Sequence, residues 1–190
     1  MKYLAIFLIM LSSCSTITVN YCDPQNCNNV FSEFIQGSVD CAFYSLKSDL
    51  VINSLDKANS RVVMENPIDK PYVKARKTSG LMHNKFCVKG DHVITGSFNP
   101  GDKSNRMDNV VIIKNKQFAK LYKTEFTELW EGRGHVTNGL QFNKHKVYFC
   151  PEDDCAKKVI NEISKAKREI NFMYYSFTSG EIALALINAK

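Results

Sequence analysis

Two rhythms of hydrophobic and polar positions run through this chain, and the switches between them mark its elements. Residues 40–46 and 61–65 are short apolar runs of strand length, separated at 48–58 by a stretch with helical spacing. After a polar loop, Leu81 to Lys89 reads as a strand, Gly90-Asp91 as a two-residue hairpin turn of type II′, and Val93 onward as the return strand. A strand at 109–114 leads into a helix at 116–131. Its residues Phe118, Leu121, Tyr122, Phe126, Leu129 and Trp130 keep the i, i+3, i+4 rhythm of a core-facing stripe. That rhythm assigns Trp130 to the core rather than to a ligand platform. Strands alternating with helices predict an α/β chain whose sheet is covered on both faces.

The N-terminus follows neither rhythm. Lys2 and the apolar run Tyr3 to Leu11 form a secretory leader, too short to span a membrane comfortably. Leu11-Ser12-Ser13-Cys14 resembles the lipobox of prokaryotic lipoproteins, in which the cysteine is lipidated; an ordinary signal peptide with an incidental cysteine is the other reading. Both readings take the chain out of the cytoplasm, and the first holds it at a membrane surface through a lipid anchor.

Cysteine usage fits export, since the chain has seven cysteines and setting Cys14 aside leaves an even number. Cys22 with Cys27, and Cys150 with Cys155, are candidates for local disulfides, whereas a zinc site would want CxxC pairs with further ligands at set spacing. Cys41 and Cys87 each fall in a predicted strand, as two buried thiols or as a third bridge.

The cysteine pairs expose an internal repeat. Tyr21-Cys22-Asp23-Pro24-Gln25-Asn26-Cys27 parallels Phe149-Cys150-Pro151-Glu152-Asp153-Asp154-Cys155, and at a similar offset Tyr44, Ser45, Leu55 and Ala58 match Tyr175, Ser176, Leu186 and Ala189. Gly132, Gly134 and Gly139 mark a linker between the two copies. The expected division is leader and tether at 1–18, a first lobe at 19–134, a linker at 135–144 and the start of a second lobe at 145–190. The last stretch stops inside the helical pattern Ser179 to Lys190, with Ile182, Leu184, Leu186 and Ile187 apolar, so the second lobe is read as incomplete and the chain as a fragment.

The net charge of +6 is modest but unevenly placed. Arg61, Lys70, Lys74, Arg76, Lys77, Lys85 and Lys89 face only Glu65 and Asp69 within residues 61–90. Such a segment offers a basic approach to anionic phosphodiesters, or a solvated loop without a partner. No zinc finger, helix-turn-helix or ribonucleoprotein motif is present to read a base sequence.

The chemistry concentrates on the predicted hairpin. In a strand, residues i and i+2 share a face, so His83 and Lys85 converge, the imidazole as nucleophile and the ammonium as a counter-charge for phosphate oxygens. On the return strand Ser97 and Asn99 offer a hydroxyl and an amide to the same oxygens, and Gly96 permits close backbone approach. No metal or other cofactor is needed by such a set.

His83-Asn84-Lys85 followed by Gly96-Ser97-Phe98-Asn99 resembles the HxKxxxxD and GSxN pattern of the phospholipase D superfamily, nearest to its nuclease and cardiolipin-hydrolase-like branch. The likeness extends through Asn109-Val110-Val111-Ile112-Ile113 and the helix bearing Glu125-Phe126 and Leu129-Trp130. It implies an α/β/α sandwich with a mixed sheet flanked by helices, one full lobe plus the truncated start of a second. The pattern's carboxylate position is Gly90 here; Asp91 in the turn is the displaced candidate, and a one-residue slip reverses facing in a strand.

The resemblance also implies a two-step displacement through a phosphohistidine on His83, with a second histidine protonating the leaving alkoxide. His92, His135 and His145 read as surface histidines, so that proton donor is expected from a missing second lobe or from the partner in a homodimer. Repeat arithmetic puts a second HxK at about position 214, past Lys190. Three functions fit: an exported phospholipid hydrolase, a nuclease of the same superfamily, and a non-catalytic phosphate-binding envelope module.

Overall fold

The computed structural model describes residues 15–22, 24–76, 80–101, 108–133, 139–142, 144–172, 174 and 176–189. The leader and Cys14 lie outside the described residues. The chain divides into two compact units, the first running to His135 and the second from Val136.

The first unit is built on a seven-stranded mixed sheet. In chain order its elements are β1 (Thr16–Cys22), α1 (Pro24–Phe34), β2 (Ser38–Phe43), α2 (Asp49–Lys57), β3 (Asn59–Met64), β4 (Val73–Ala75), β5 (Lys85–Lys89), β6 (His92–Gly96), β7 (Asp108–Lys114) and α3 (Lys116–Glu131). The strands lie in the order β1-β7-β6-β5-β2-β3-β4. β2, β3 and β4 run parallel, and β1, β7, β6 and β5 are joined to β2 through antiparallel pairs.

Alternation along the strands divides the core into two layers, because successive side chains point to opposite faces. Cys41, Phe43, Val62, Met64, Cys87 and Ile94 pack with Phe31 of α1 and Leu55 of α2. On the other face Phe86 meets Tyr122 of α3 edge-on, with ring centroids 5.0 Å apart. The α/β/α sandwich with helices on both faces is therefore the fold observed.

Helix α3 has the bounds its sequence implied because both ends are chemically fixed. Asn115 Oδ1 accepts from Gln117 N at 2.8 Å and Phe118 N at 3.0 Å, while Gly132, at φ +66°, turns the chain out in the left-handed region. Phe118, Tyr122 and Phe126 are buried as the stripe required. Trp130 is only half-buried, stacked on Phe126 with the Lys74 ammonium 4.0 Å from its ring centre.

Three elements of the first unit were not foreseen. Residues 16–18, assigned to the leader's tether, belong to β1, which pairs along its whole length with β7. Helix α1 is rich in asparagine, a poor helix former, and is held by burial of Cys27, Phe31 and Phe34 at i, i+4 and i+7. The loop before the hairpin contains the three-residue edge strand β4. The strand expected from Leu81 begins only at Lys85.

The second unit opens with a hairpin of β8 (Leu140–Phe142) and β9 (His145–Val147), so part of the expected linker is paired strand. Asp153 accepts from Gly139 N at 2.8 Å and Phe149 N at 2.7 Å, pinning the turn that leads to α4 (Cys155–Ser164). A disulfide joins Cys150 and Cys155. The last helix, α5 (Gly180–Asn188), begins 131 residues after α2, and both have a serine N-cap, Ser179 and Ser48, accepting from the N–H three residues on.

Candidate active site

One end of the β5–β6 hairpin gathers the residues singled out by the motif. Tyr44 N donates to Asn84 O at 2.9 Å, carrying the β2–β5 ladder one rung past Lys85. His83 therefore sits just outside the regular strand, and Lys85 Nζ folds back to donate to its carbonyl at 2.9 Å. The loop before them is anchored by Glu65, whose Oε2 accepts from Met82 N at 3.0 Å and Arg76 Nη1 at 2.9 Å. The Met82 hydrogen bond is the first cause, and Arg76 a lesser one, of a Glu65 carboxyl held below its usual range.

Burial decides the ionisation of the pair. Lys85 is 7% exposed, and desolvation pushes its ammonium down to about 8, with the Asp108 carboxylate pulling the other way. His83 is exposed, its ring packing edge-to-face against Tyr44, centroids 4.6 Å apart. Desolvation first, and then the Lys85 charge, hold its imidazole below the ordinary histidine value. At neutral pH the site thus offers an uncharged imidazole beside a cation, the ionisation a nucleophile and an oxyanion stabiliser need.

Ser97 lies one residue beyond β6. Its hydroxyl donates to Asp108 Oδ1 at 2.7 Å and accepts from Asn109 N at 3.1 Å, while Ser97 N donates to Asn109 O at 3.1 Å. Asn99 Oδ1 is buried and has no protein partner. An unpaired buried acceptor costs about 1–3 kcal/mol. Phe98, 1% exposed and 6.3 Å from Phe31 between ring centres, fixes the loop that carries both.

Gly96, at φ +149°, serves strand pairing. A Cβ there would sit 2.1 Å from Asn109 O, so the close approach it permits is to the β7 backbone. Asp91 lies at the far end of the hairpin from His83 and pairs with His92 Nδ1 at 2.6 Å. Gly90 takes φ +53° and Asp91 a negative φ, the signs a type II′ turn requires. The slip in register leaves the Asp91 carboxylate outside the His83 cluster.

The carboxylate that does reach the cluster is Asp108, which the sequence reading passed over. Its signal was the pair Asp108-Asn109 opening the strand after Gly96-Ser97-Phe98-Asn99. Tyr44, touching His83 and lying 5.4 Å from Lys85 Nζ, was seen only as a repeat marker. Glu125, buried on α3, accepts from Asn84 Nδ2 at 3.5 Å.

The basic approach is partly neutralised, by Asp40 and Asp56 from earlier elements and by Glu65 of the segment itself. Arg61 pairs with Asp40, Lys70 with Asp56 and Arg76 with Glu65, and Lys77 lies outside the described residues. Cys41 and Cys87, directly opposite on β2 and β5, form a disulfide two residues from Lys85. Cys27 is disulfide-bonded; the side chain of Cys22, its expected partner, lies outside the described residues. His145 begins β9 in the second unit, and His135 is outside the described residues. Among the described residues, no three His, Cys, Asp or Glu side chains gather as a metal site, and no helix is long and apolar enough to cross a membrane.

Comparison with known proteins agrees with this geometry. Residues 50–130 match the family described as cardiolipin synthase, phospholipase D-like domain. The dog (Canis lupus familiaris) mitochondrial cardiolipin hydrolase is 30% identical over 88 residues, 45% of this chain and 31% of that protein, so the match spans under a third of the relative's length. NucT from Helicobacter pylori has a similar fold, with TM-score 0.53 and 14% identity over 71% of this chain and 99% of its own. Nuc from Salmonella typhimurium, a phospholipase D family member, gives TM-score 0.52 and 17% identity over 65% of this chain and 99% of its own. Residues 50–130 are thus similar to a phospholipase D-like domain, and the first unit has a fold like that of NucT and Nuc.

Proposed function

We propose that the site hydrolyses phosphodiester bonds through a covalent phosphohistidine, acting on phospholipid headgroups. The observation that carries this reading is the His83–Lys85 pair: an imidazole kept uncharged beside a buried ammonium. In the first step an imidazole nitrogen of His83 bonds to phosphorus as the bond to the leaving alkoxide breaks, and the alkoxide takes a proton from a second histidine. In the second step water attacks phosphorus, the N–P bond returns its electrons to His83, and the water's proton passes to that second histidine. Lys85 and Asn99 hold the non-bridging oxygens, and Ser97, bridging Asp108 and Asn109, fixes the loop that presents them.

The second histidine comes from a second lobe or from a partner copy. Duplication is supported by α2 and α5, which share spacing and cap chemistry. The lipid preference rests on the exported leader with Cys14, which would hold the site at a membrane surface, and on likeness to a cardiolipin hydrolase. A nuclease is the second reading, favoured by the excess of Lys and Arg over Asp and Glu, 25 to 19.

The test offers labelled phospholipid and single-stranded DNA to the protein, with and without chelator, alongside His83→Ala. Headgroup release that survives chelation and is abolished in His83→Ala is the expected result. Cleavage of DNA alone moves the assignment to the nuclease. No turnover of either diester, with the second histidine supplied by the full reading frame, favours a phosphate-binding module.

A further inference from the structure

At the opposite end of the hairpin from His83, a cleft of about 560 Å³ opens between α3 and the first residues of β2 and β3. Ser38, Asp40, Asn59, Arg61 and Gly90 contribute to its walls, and α3 supplies Lys116, Lys120 and Lys123. These three lysines recur at i, i+4 and i+7, so they form one stripe of the helix beside the buried stripe of Phe118 and Tyr122. Among the described residues the only carboxylate lining the cleft is Asp40, whose side chain is 6% exposed.

Asp40 is already committed. Its Oδ1 and Oδ2 accept from Arg61 Nε at 2.8 Å and Nη2 at 3.0 Å, and Lys123 also pairs with it. Arg61 is held from the other side by the Phe126 ring, 5.1 Å from its guanidinium carbon. Among the described residues no carboxylate pairs with Lys116 or Lys120. Like charges at i, i+4 repel, so this stripe costs stability until an anion neutralises it. Five cations, Arg61, Lys89, Lys116, Lys120 and Lys123, against one carboxylate leave the cleft about four charges positive.

We propose that this cleft is a second anion site, separate from the His83 centre, for a ligand carrying two linked phosphates. The three lysine Cα atoms span about 10 Å along the helix axis, more than one phosphate can bridge. Two phosphates bring roughly three to four negative charges at neutral pH, which matches the unbalanced cations. A cleft of this size admits a small molecule. Occupancy stabilises the folded first unit, because an anion that binds only the native lysine stripe shifts unfolding by mass action.

Calorimetric titration of the whole chain at low salt tests this, with inorganic pyrophosphate, orthophosphate and ADP as probes. Pyrophosphate should bind more tightly than orthophosphate and raise the melting temperature, and the double variant K116Q/K120Q should weaken it at least tenfold. The charge-matched control K57Q/K167Q and His83→Ala should bind as the parent does. ADP binding as well as pyrophosphate shows that the diphosphate is what is recognised, whether free or carried by a nucleoside. Lys116 and Lys120 are exposed and repel each other, so without ligand K116Q/K120Q should melt no lower than the parent. The proposal is overturned if pyrophosphate does not bind, if K57Q/K167Q weakens it equally, or if Lys85→Met abolishes binding while K116Q/K120Q retains it.

Discussion

Replacing Lys85 with methionine should abolish turnover and stabilise the fold at neutral pH. The lysine is 7% exposed and its ammonium is pushed down to about 8 from 10.5. Keeping it charged at pH 7 therefore costs about 3 kcal/mol of folding free energy. Methionine fills similar volume without charge but forfeits the 2.9 Å hydrogen bond to His83 O, worth about 1 kcal/mol. The net gain is about 1–2 kcal/mol, or roughly 5–10 °C in melting temperature for a domain of this size. The sign of the pH dependence follows from the depressed value. Below about 8 the lysine is charged in both states, and between about 8 and 10.5 the folded protein releases its proton while the unfolded chain keeps it. Wild-type stability from this group thus rises with pH across that window, and the advantage of Lys85→Met shrinks to nothing. Urea unfolding of both proteins between pH 7 and pH 10, followed by circular dichroism, measures the difference. A methionine variant less stable at pH 7, or a difference that stays flat with pH, would refute the reasoning.

The rate should follow a bell against pH. Its acid limb lies below 6.5, because His83 must be unprotonated and its value is lowered, and its alkaline limb lies no higher than about 8, where Lys85 loses its charge; initial rates on a soluble diester check both limbs. Gly96→Ala should cost about 1–3 kcal/mol in backbone strain alone, plus displacement of Asn109 O from 2.1 Å, so thermal melting should fall and activity should go with it. Losing the Cys41–Cys87 disulfide, which closes a sequence separation of 46, should cost about 4 kcal/mol by loop entropy, read as a lower urea midpoint for C41A/C87A.

What was legible in the sequence had its cause nearby in the chain. The bounds of α3 could be read because Asn115, the apolar stripe and Gly132 carry the helix signals in order. The hairpin could be read because Gly90-Asp91 sits between apolar runs; Lys85 Nζ reaches the His83 carbonyl at its open end, and Ser97 follows its return strand. What stayed hidden depends on register between distant segments. Cys41 faces Cys87 only because β2 pairs with β5, and Asp108 reaches Ser97 only because β7 lies beside β6. Arg61 and Lys70 looked free until Asp40 and Asp56 met them from earlier elements. Helix α1 was missed because tertiary burial overrides the poor propensity of its asparagines.

The central claim is that His83 bonds to phosphorus during turnover. Rapid acid-free quenching of the protein with a diester labelled at phosphorus, followed by peptide mapping under alkaline conditions that spare phosphohistidine, tests it most directly. Label on the peptide carrying His83, absent from His83→Ala along with turnover, is the expected result. Turnover that persists in His83→Ala, or label on a different residue, would contradict it.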